Sequence, residues 1–113
     1  MKLVTNRPVA QGDMLIIPIA EIPANAKAAT VENGFCILAH SETGHHHVIE
    51  RAKAEVYEAA DDAFVAYVHA LAPADITHQR HFDTHETVQL APGNYEIRRQ
   101  REYVSEGYRK AQD

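Results

Sequence analysis

Residues 49–71 read IERAKAEVYEAADDAFVAYVHAL and are compatible with two different secondary structures. Apolar residues recur at helical spacing through the whole segment, and its alanines raise the helix propensity. Alternatively, Asp61-Asp62 divides the segment into two strands at residues 54–58 and 64–69. The valines and aromatic residues of those two stretches favour extended structure. Periodicity alone therefore supports the helix and the strand pair equally.

A turn signal before this segment favours the strand pair. Asn33-Gly34 is a strong signal for a two-residue β-hairpin, which would join residues 30–32 to residues 35–38. A second turn at residues 41–44 leads into an extended stretch that begins with His45-His46-His47. Because hairpins border the ambiguous segment, we predict two strands within it rather than one helix.

The C-terminal part of the chain also indicates extended structure. Residues 91–94 read APGN and fit a type II turn, which would pair residues 87–90 with residues 95–98. Residues 95–103 alternate in a way that leaves neither face apolar enough to cover a core. We therefore expect a strand at an edge, in a subunit contact or beside a polar pocket. Ser105 could cap a short final helix.

These patterns predict an all-β fold, either a small barrel or a two-sheet sandwich, with room for a short C-terminal helix. The alternative is an α+β fold with a helix at about residues 50–71. Near the N-terminus, residues 14–17 read MLII and favour a strand. Pro18 and Pro23 follow, so we expect this strand to be short or to lie at an edge.

The composition limits the classes of protein that fit. A chain of 113 residues is expected to form a single domain, here residues 1–113. Its net charge of −5 argues against a general nucleic-acid-binding surface. The lone Cys36 cannot form an internal disulfide. With no signal peptide and no long apolar run, we expect a cytoplasmic protein that does not enter the membrane.

All eight histidines fall between His40 and His85, which points to one site for a metal or for proton chemistry. In a strand, His45 and His47 share one face and His46 has the other. Such a pair can supply two imidazole ligands to one ion. His40 and His69 end apolar runs, so we expect them to be packed or interfacial.

Further ligands must come from elsewhere, because zinc needs three or four ligands and non-haem iron needs two histidines with a carboxylate. His85 is the preferred third ligand, and His81, spaced i, i+4 from it, is the next candidate. Glu50 and Glu86 could serve as a fourth ligand or as a base. The sequence thus predicts a divalent transition-metal site for zinc, nickel or iron, and its plain alternative is a solvated strand end.

Catalysis has less support than binding. The chain lacks a glycine-rich phosphate loop, a Gly-x-Ser-x-Gly elbow and a Cys-x-x-Cys pair, which removes support from the corresponding enzyme classes. Binding without catalysis is therefore the favoured prediction, and a metal-dependent enzyme is the alternative. In an enzyme, the metal would act as a Lewis acid or activate water, with Glu50 or Glu86 as the base.

The competing hypothesis is a non-catalytic interaction module. The basic run at residues 98–101 suggests phosphate or RNA binding, but Glu96 and Glu102 flank it. In this acidic chain, a solvated or intersubunit salt-bridged strand is the better interpretation. Residues 95–103 would then form a homo-oligomer or partner interface. Its contact residues would be Tyr95, Arg99, Arg101 and Tyr103.

Three motifs together resemble a set of small uncharacterised bacterial proteins. Residues 44–47 (GHHH), 84–86 (THE) and 90–103 (LAPGNYEIRRQREY) match a Gly-His-x-His turn, a His-x-x-His segment and a Pro-Gly-x-Tyr ending with Gln-Arg-Glu-Tyr. This resemblance covers most of the chain and favours strands at residues 50–71, but it implies no activity. His85 fits the second histidine, whereas position 82 is Phe, so His81 would substitute through a one-residue shift.

A weaker resemblance is to cupins, in which a glycine, a His-x-His pair and a glutamate precede a final histidine. His45 and His47 fit the pair, but Glu50 follows one residue too early. His85 would be the last ligand, although it precedes the Pro-Gly turn. The likeness implies a similar type of metal-ligand set and no more.

Overall fold

The structure is a computed structural model, and it describes residues 3–11, 14–39, 47–78, 87–99, 101–104 and 107–110. Over these residues the chain forms β-strands and no helix. The strands are β1 (Leu3–Thr5), β2 (Val9–Gln11), β3 (Met14–Ile19), β4 (Lys27–Ala28), β5 (Val31–Glu32), β6 (Phe35–Ala39), β7 (His47–Glu50), β8 (Ala54–Glu58), β9 (Val65–Ala70), β10 (Ala74–His78), β11 (Val88–Leu90), β12 (Gly93–Arg99), β13 (Arg101–Val104) and β14 (Gly107–Lys110). In the described part of the chain, nothing is helical, long and apolar enough to cross a membrane.

Two six-stranded sheets make up the fold. Sheet A has the order β1-β11-β10-β7-β6-β5, and sheet B has the order β2-β3-β12-β9-β8-β4. Every pair within them is antiparallel except β1 with β11. Within the described residues, the remaining strands, β13 and β14, pair only with each other. The predicted all-β fold is confirmed, and the arrangement is consistent with a two-sheet sandwich.

The ambiguous segment forms two strands, so the alternative of a helix at residues 50–71 is wrong. β8 and β9 pair with Val56 opposite Val68. Both valines are buried, and burial along β8 and β9 recurs at every second residue rather than at helical spacing. The apolar positions fit helical spacing by coincidence, because two inward faces with a polar loop between them generate similar intervals.

The predicted hairpin at Asn33-Gly34 is confirmed. β5 and β6 pair with Glu32 opposite Phe35, which leaves two residues in the turn. Asn33 has a φ of 52° and Gly34 a φ of 81°. Positive φ at both central positions is what a type I′ turn requires, and asparagine and glycine adopt it most readily.

The second predicted hairpin, across residues 91–94, is wrong. β11 ends at Leu90 in sheet A, while β12 begins at Gly93 in sheet B. The turn therefore carries the chain from one sheet to the other. Gly93 has a φ of 150°, so the glycine still provides a conformation that other residues rarely adopt. This φ differs from the roughly +80° of the third residue in a type II turn, so the turn type and the strand partners both depart from the prediction.

β3 is an inner strand, contrary to the expectation of a short or edge strand. It pairs with β12 along residues 14–19 but with β2 only along residues 14–16. Pro18 lies beyond the end of β2, where one side of β3 has no neighbouring strand in sheet B. A proline has no N–H to donate, so this is the part of the strand that accommodates it.

β12 also lies inside its sheet, between β3 and β9, so of the three placements expected for residues 95–103 (an edge, a subunit contact or the side of a polar pocket) the edge is wrong for β12. The stretch is not one strand, because β12 ends at Arg99 and β13 begins at Arg101. The predicted C-terminal helix is wrong as well, since residues 107–110 form β14. Tyr108 favours extended structure and Gly107 disfavours a helix, which is consistent with pairing to β13.

The core lies between the two sheets. In sheet A, residues at alternate positions of β6, β7, β10 and β11 point into the core. In sheet B, residues at alternate positions of β3, β8, β9 and β12 do the same. The cluster includes Met14, Ile16, Cys36, Ile49, Val56, Val68, Ile76, Val88, Leu90, Tyr95 and Ile97. Burying each large aliphatic side chain contributes about 1.5 to 3 kcal/mol. Only two polar residues of the described part are buried with them, Gln11 and His47.

Candidate histidine site

His47 is the first residue of β7 and is 1% exposed. It has the same strand parity as Ile49, a core residue, so its ring lies on the inner face of sheet A. A buried imidazole loses its hydration and must find hydrogen-bond partners inside the protein. The partner comes from the opposite sheet.

Gln11, the last residue of β2, provides that partner. Its Nε2 donates to the carbonyl oxygen of Ile76 at 2.9 Å, and its Oε1 lies 2.9 Å from Nδ1 of His47. A carbonyl oxygen can only accept, so the amide end that faces Ile76 is the NH₂ group. The oxygen end of the amide therefore faces the imidazole.

This orientation fixes the tautomer of His47. Because Oε1 of Gln11 can only accept, Nδ1 carries a proton and donates it. In the neutral ring, the lone pair then resides on Nε2, which is also buried. A second group that holds one ring N–H and leaves the other nitrogen as a ligand is typical of metal-binding histidines.

The strand register brings a second histidine next to His47. β10 pairs with β7 so that His78 is directly opposite His47. On the other side of β7, Ala39 of β6 is opposite His47. Directly opposed residues on antiparallel strands have Cα atoms about 4.5 to 5.5 Å apart. The two connections that leave from this point are residues 40–46 and 79–86, and they contain five of the eight histidines.

Most of the predicted ligands lie on those connections. His45, His81, His85 and Glu86 fall outside the described residues, so their place in a metal site stays a prediction. Within the part of the chain that the structure describes, no group of three or more histidine, cysteine, aspartate or glutamate residues could hold a metal ion. His47 is the one predicted histidine ligand whose surroundings can be described.

Glu50 does not lie beside His47. It is three residues along the same strand and so has the opposite parity. Its side chain is 50% exposed, and a carboxylate oxygen lies 3.8 Å from Nζ of Lys53. The structure thus places this carboxylate on the surface, at the far end of β7 from the imidazole.

The residues predicted for an interface are divided between different environments. Tyr95 lies in the core, and its hydroxyl donates to the carbonyl oxygen of Ala91 at 2.6 Å. The guanidinium of Arg99 lies 5.8 Å from the centre of the Phe64 ring. Arg101 and Tyr103 belong to β13, where side chains lie outside the described part, so their role in an interface stays a prediction.

The basic run does not form one continuous patch in its described portion. Arg98 is ion-paired with Glu96 on the outer face of sheet B, while Arg99 has the opposite parity and packs near Phe64. Glu96 raises the pKa of the Arg98 guanidinium through this contact. The salt-bridged interpretation of the run therefore fits Arg98, and the pairing is within the chain.

Sequence reasoning missed Gln11 and also a second amide–histidine pair. On the outer face of sheet B, Nδ1 of His69 lies 2.7 Å from Oδ1 of Asn94, and Nδ2 of Asn94 donates to the carbonyl of Ala20 at 3.1 Å. His69 is thus held in the same way as His47, but it is only half-buried. A polar residue at the inward parity of a short apolar strand was the only available signal for Gln11.

A cavity of about 470 Å³ opens at the end of the sandwich where β6 finishes. Leu38 contributes to its floor and precedes Ala39, the residue opposite His47. The loop of residues 59–64, which joins β8 to β9, forms its rim, and Arg99 closes one side. The cavity therefore opens at the same end of the two sheets from which the histidine-bearing connections leave.

Taken together, the fold and the site define a two-sheet β protein with a buried, tautomer-fixed histidine at one end. The chain belongs to the family described as Domain of unknown function (DUF8820), whose model matches residues 10–100. The matched region contains both Gln11 and His47. No curated protein and no solved structure matches the chain.

Proposed function

We propose that this protein binds one divalent transition-metal ion at the end of the sandwich where β7 begins. His47 would coordinate the ion through Nε2. His45, His81 and His85 supply the further imidazoles, and His78, opposite His47 in the register, is an additional candidate. Zinc, nickel and iron all accept imidazole ligands in sets of this kind.

The observation that carries the proposal is the hydrogen bond between Gln11 and His47. It holds the proton on Nδ1 and leaves Nε2 as the basic nitrogen, which is the tautomer that coordination through Nε2 requires. If His47 served only to fill the core, an apolar residue of similar volume could take its place. The core would then not need a buried glutamine as its hydrogen-bond partner.

The carboxylate of the site would come from Glu86, because Glu50 is exposed and ion-paired with Lys53. The proposed function is binding of the ion. A reaction at the ion would in addition require an acid or a base, and Glu86 is the residue of the predicted set that could supply one.

The test is to measure the metal bound to protein purified without a tag, first by elemental analysis and then by titration of metal-free protein with Zn²⁺, Ni²⁺ and Fe²⁺. We expect one ion per chain in the wild type and loss of binding in His47→Ala. A double variant, His45→Ala with His85→Ala, should lose it as well. His69→Ala is the matched control, because that histidine is also held by an amide but lies on the outer face of sheet B.

Thermal unfolding of each metal-free variant checks that the fold is retained. Adding the ion should raise the unfolding temperature of the wild type and of His69→Ala, since a ligand that binds only the folded state stabilises it. Absence of stoichiometric metal in the wild type, or full retention by a folded His47→Ala protein, would overturn the proposal.

A further inference from the structure

We propose that the cavity at the histidine end binds a small organic cation, an ammonium or guanidinium group on a short apolar body. We call this space the rim cavity, defined by the floor residues Leu38, Val56 and Ala66 and by the loop of residues 59–64. Its volume of about 470 Å³ is within the range of sites for small molecules.

The floor of the rim cavity is the core itself. Leu38, Val56 and Ala66 belong to the core cluster and are only 7%, 4% and 8% exposed. They come from both sheets, so a ligand seated here would contact the gap between the sheets directly. An apolar body is the chemistry that benefits from such contact, because its surface leaves water.

The rim is formed before any ligand arrives. The amide of Ala59 donates to the carbonyl of Val65, and the amide of Arg99 donates to the carbonyl of Phe64. Asp62 holds the turn between them, with Oδ1 accepting from the amide of Phe64 at 2.9 Å. A loop fixed by these bonds loses little further conformational freedom on binding, which favours affinity.

The charge on the lining selects a cation. Three carboxylates, those of Glu58, Asp61 and Asp62, line the cavity against one guanidinium, that of Arg99. Arg99 is also already engaged by the ring of Phe64. A ligand with a positive group therefore gains attraction from the rim, whereas an anion would meet mainly carboxylates.

The neighbouring spaces indicate which end receives the positive group. A cavity of about 200 Å³ shares Ile37 and Glu58 with the rim cavity and adds Glu32. A further cavity of about 230 Å³ shares Asp62, Phe64, Val65 and Arg99 with the rim cavity and adds Arg98. Both arginines thus lie on that side, so the ammonium group would lie away from them, near Glu58 and Asp61.

This site does not depend on the proposed metal site, and its test uses metal-free protein. The probe is hexylammonium chloride, and hexanol and sodium hexanoate serve as neutral and anionic analogues of the same length. Amide resonances are followed by two-dimensional NMR during each titration. We expect saturable shifts with hexylammonium, centred on residues 59–66 and Arg99, and weaker binding of hexanol and hexanoate.

The variant Glu58→Gln combined with Asp61→Asn should weaken hexylammonium binding by about fivefold or more, as expected for loss of two partly solvated charge contacts. Both residues are exposed, so the fold should be retained. Glu21→Gln, which removes an exposed carboxylate outside the cavity lining, should leave binding unchanged.

Two results would overturn the proposal. One is the absence of saturable shifts around the rim cavity at hexylammonium concentrations of tens of millimolar, about the weakest affinity that a specific site of this size would show. The other is equal binding of hexylammonium and hexanoate, because that would mean that the carboxylates do not select the ligand.

Discussion

Gln11 and His47 lie in different sheets and are 36 residues apart in the chain, yet their side chains form a hydrogen bond of 2.9 Å inside the core. The same glutamine also donates to the backbone of β10. One amide thus joins the edge strand of sheet B to two adjacent strands of sheet A. It satisfies the imidazole and fixes which of its nitrogens is basic.

The first prediction concerns stability. Gln11→Leu leaves Nδ1 of His47 without its acceptor, and we expect the free energy of unfolding to fall by about 1 to 3 kcal/mol. Urea denaturation of metal-free protein measures this. In Gln11→Leu with His47→Leu the loss should be smaller than the sum of the two single losses, because the variants remove one shared interaction. Additive losses would show that the two residues are not coupled.

Gln89→Leu is the matched control for that experiment. Its Nε2 donates to Oδ1 of Asp75 at 2.9 Å, but the pair is only part-buried. The carboxylate of Asp75 can be solvated when the amide is removed. We therefore expect a loss below about 1 kcal/mol, smaller than for Gln11→Leu.

The second prediction concerns metal affinity and rests on the proposed function. With Gln11→Leu the proton on Nδ1 is no longer held, so the neutral ring can place it on Nε2 instead. We expect metal affinity to fall about 10- to 100-fold, as is common when a partner of a ligating histidine is removed. Competition titration with a chromophoric chelator gives this ratio. Unchanged affinity in the folded variant would separate the hydrogen bond from metal binding.

The third prediction concerns the hairpin between β5 and β6. Gly34 has a φ of +81°, and a Cβ built there would meet no atom within 4 Å. The cost of Gly34→Ala therefore comes from the backbone alone, and we expect a loss of about 1 kcal/mol. Gly34→Asn should lose less, because asparagine adopts this region more readily. Equal losses in chemical denaturation would contradict the argument.

The fourth prediction concerns alkaline pH. Burial raises the pKa of the Tyr95 hydroxyl above its ordinary value of 10.0. The folded protein thus holds this proton more tightly than the unfolded chain does. The resulting stability is complete below the unfolded pKa and is lost as pH rises through the higher folded pKa. Burial likewise raises the pKa of the Cys36 thiol above its ordinary value of 9.0.

Tyr95→Phe isolates the tyrosine contribution. At neutral pH the variant lacks the hydrogen bond to Ala91, and we expect it to be about 1 kcal/mol less stable than the wild type. Above pH 10 the difference should narrow, because only the wild type loses the stability linked to the tyrosine proton. Urea denaturation across this pH range measures the difference, and a constant difference would be the contrary result.

Local sequence signals predicted the fold class but not the strand neighbours. Asn33-Gly34 specifies its own hairpin, since both turn residues carry the required φ values. The Pro92-Gly93 pair is an equally clear turn signal, but the turn joins two sheets instead of two paired strands. The partner of each strand depends on contacts far along the chain, which turn residues do not encode.

The sequence also predicted only part of the candidate site. The parity of the extended stretch was readable from the sequence: it put His45 and His47 on one face, and the structure shows His47 buried. Its partner was not readable, because Gln11 is one polar residue in a short strand near the N-terminus. Tyr95 was predicted at an interface for a related reason. The charged residues at positions 96, 98 and 99 made the strand look too polar for the core, but Tyr95 and Ile97 are enough to cover the core at β12.

The position of Gln11 at the end of β2 has a consequence for dynamics. Among the described strands, β2 is an edge strand of three residues bonded in its sheet only to β3, and short elements with few contacts open locally at low free energy. Each opening of β2 would withdraw the amide and free the His47 ring to rotate or change tautomer. The exchange rate of the β2 amides would then report on the state of an imidazole in the other sheet. Opening of the β2 edge and the orientation of the His47 ring would be coupled in one equilibrium.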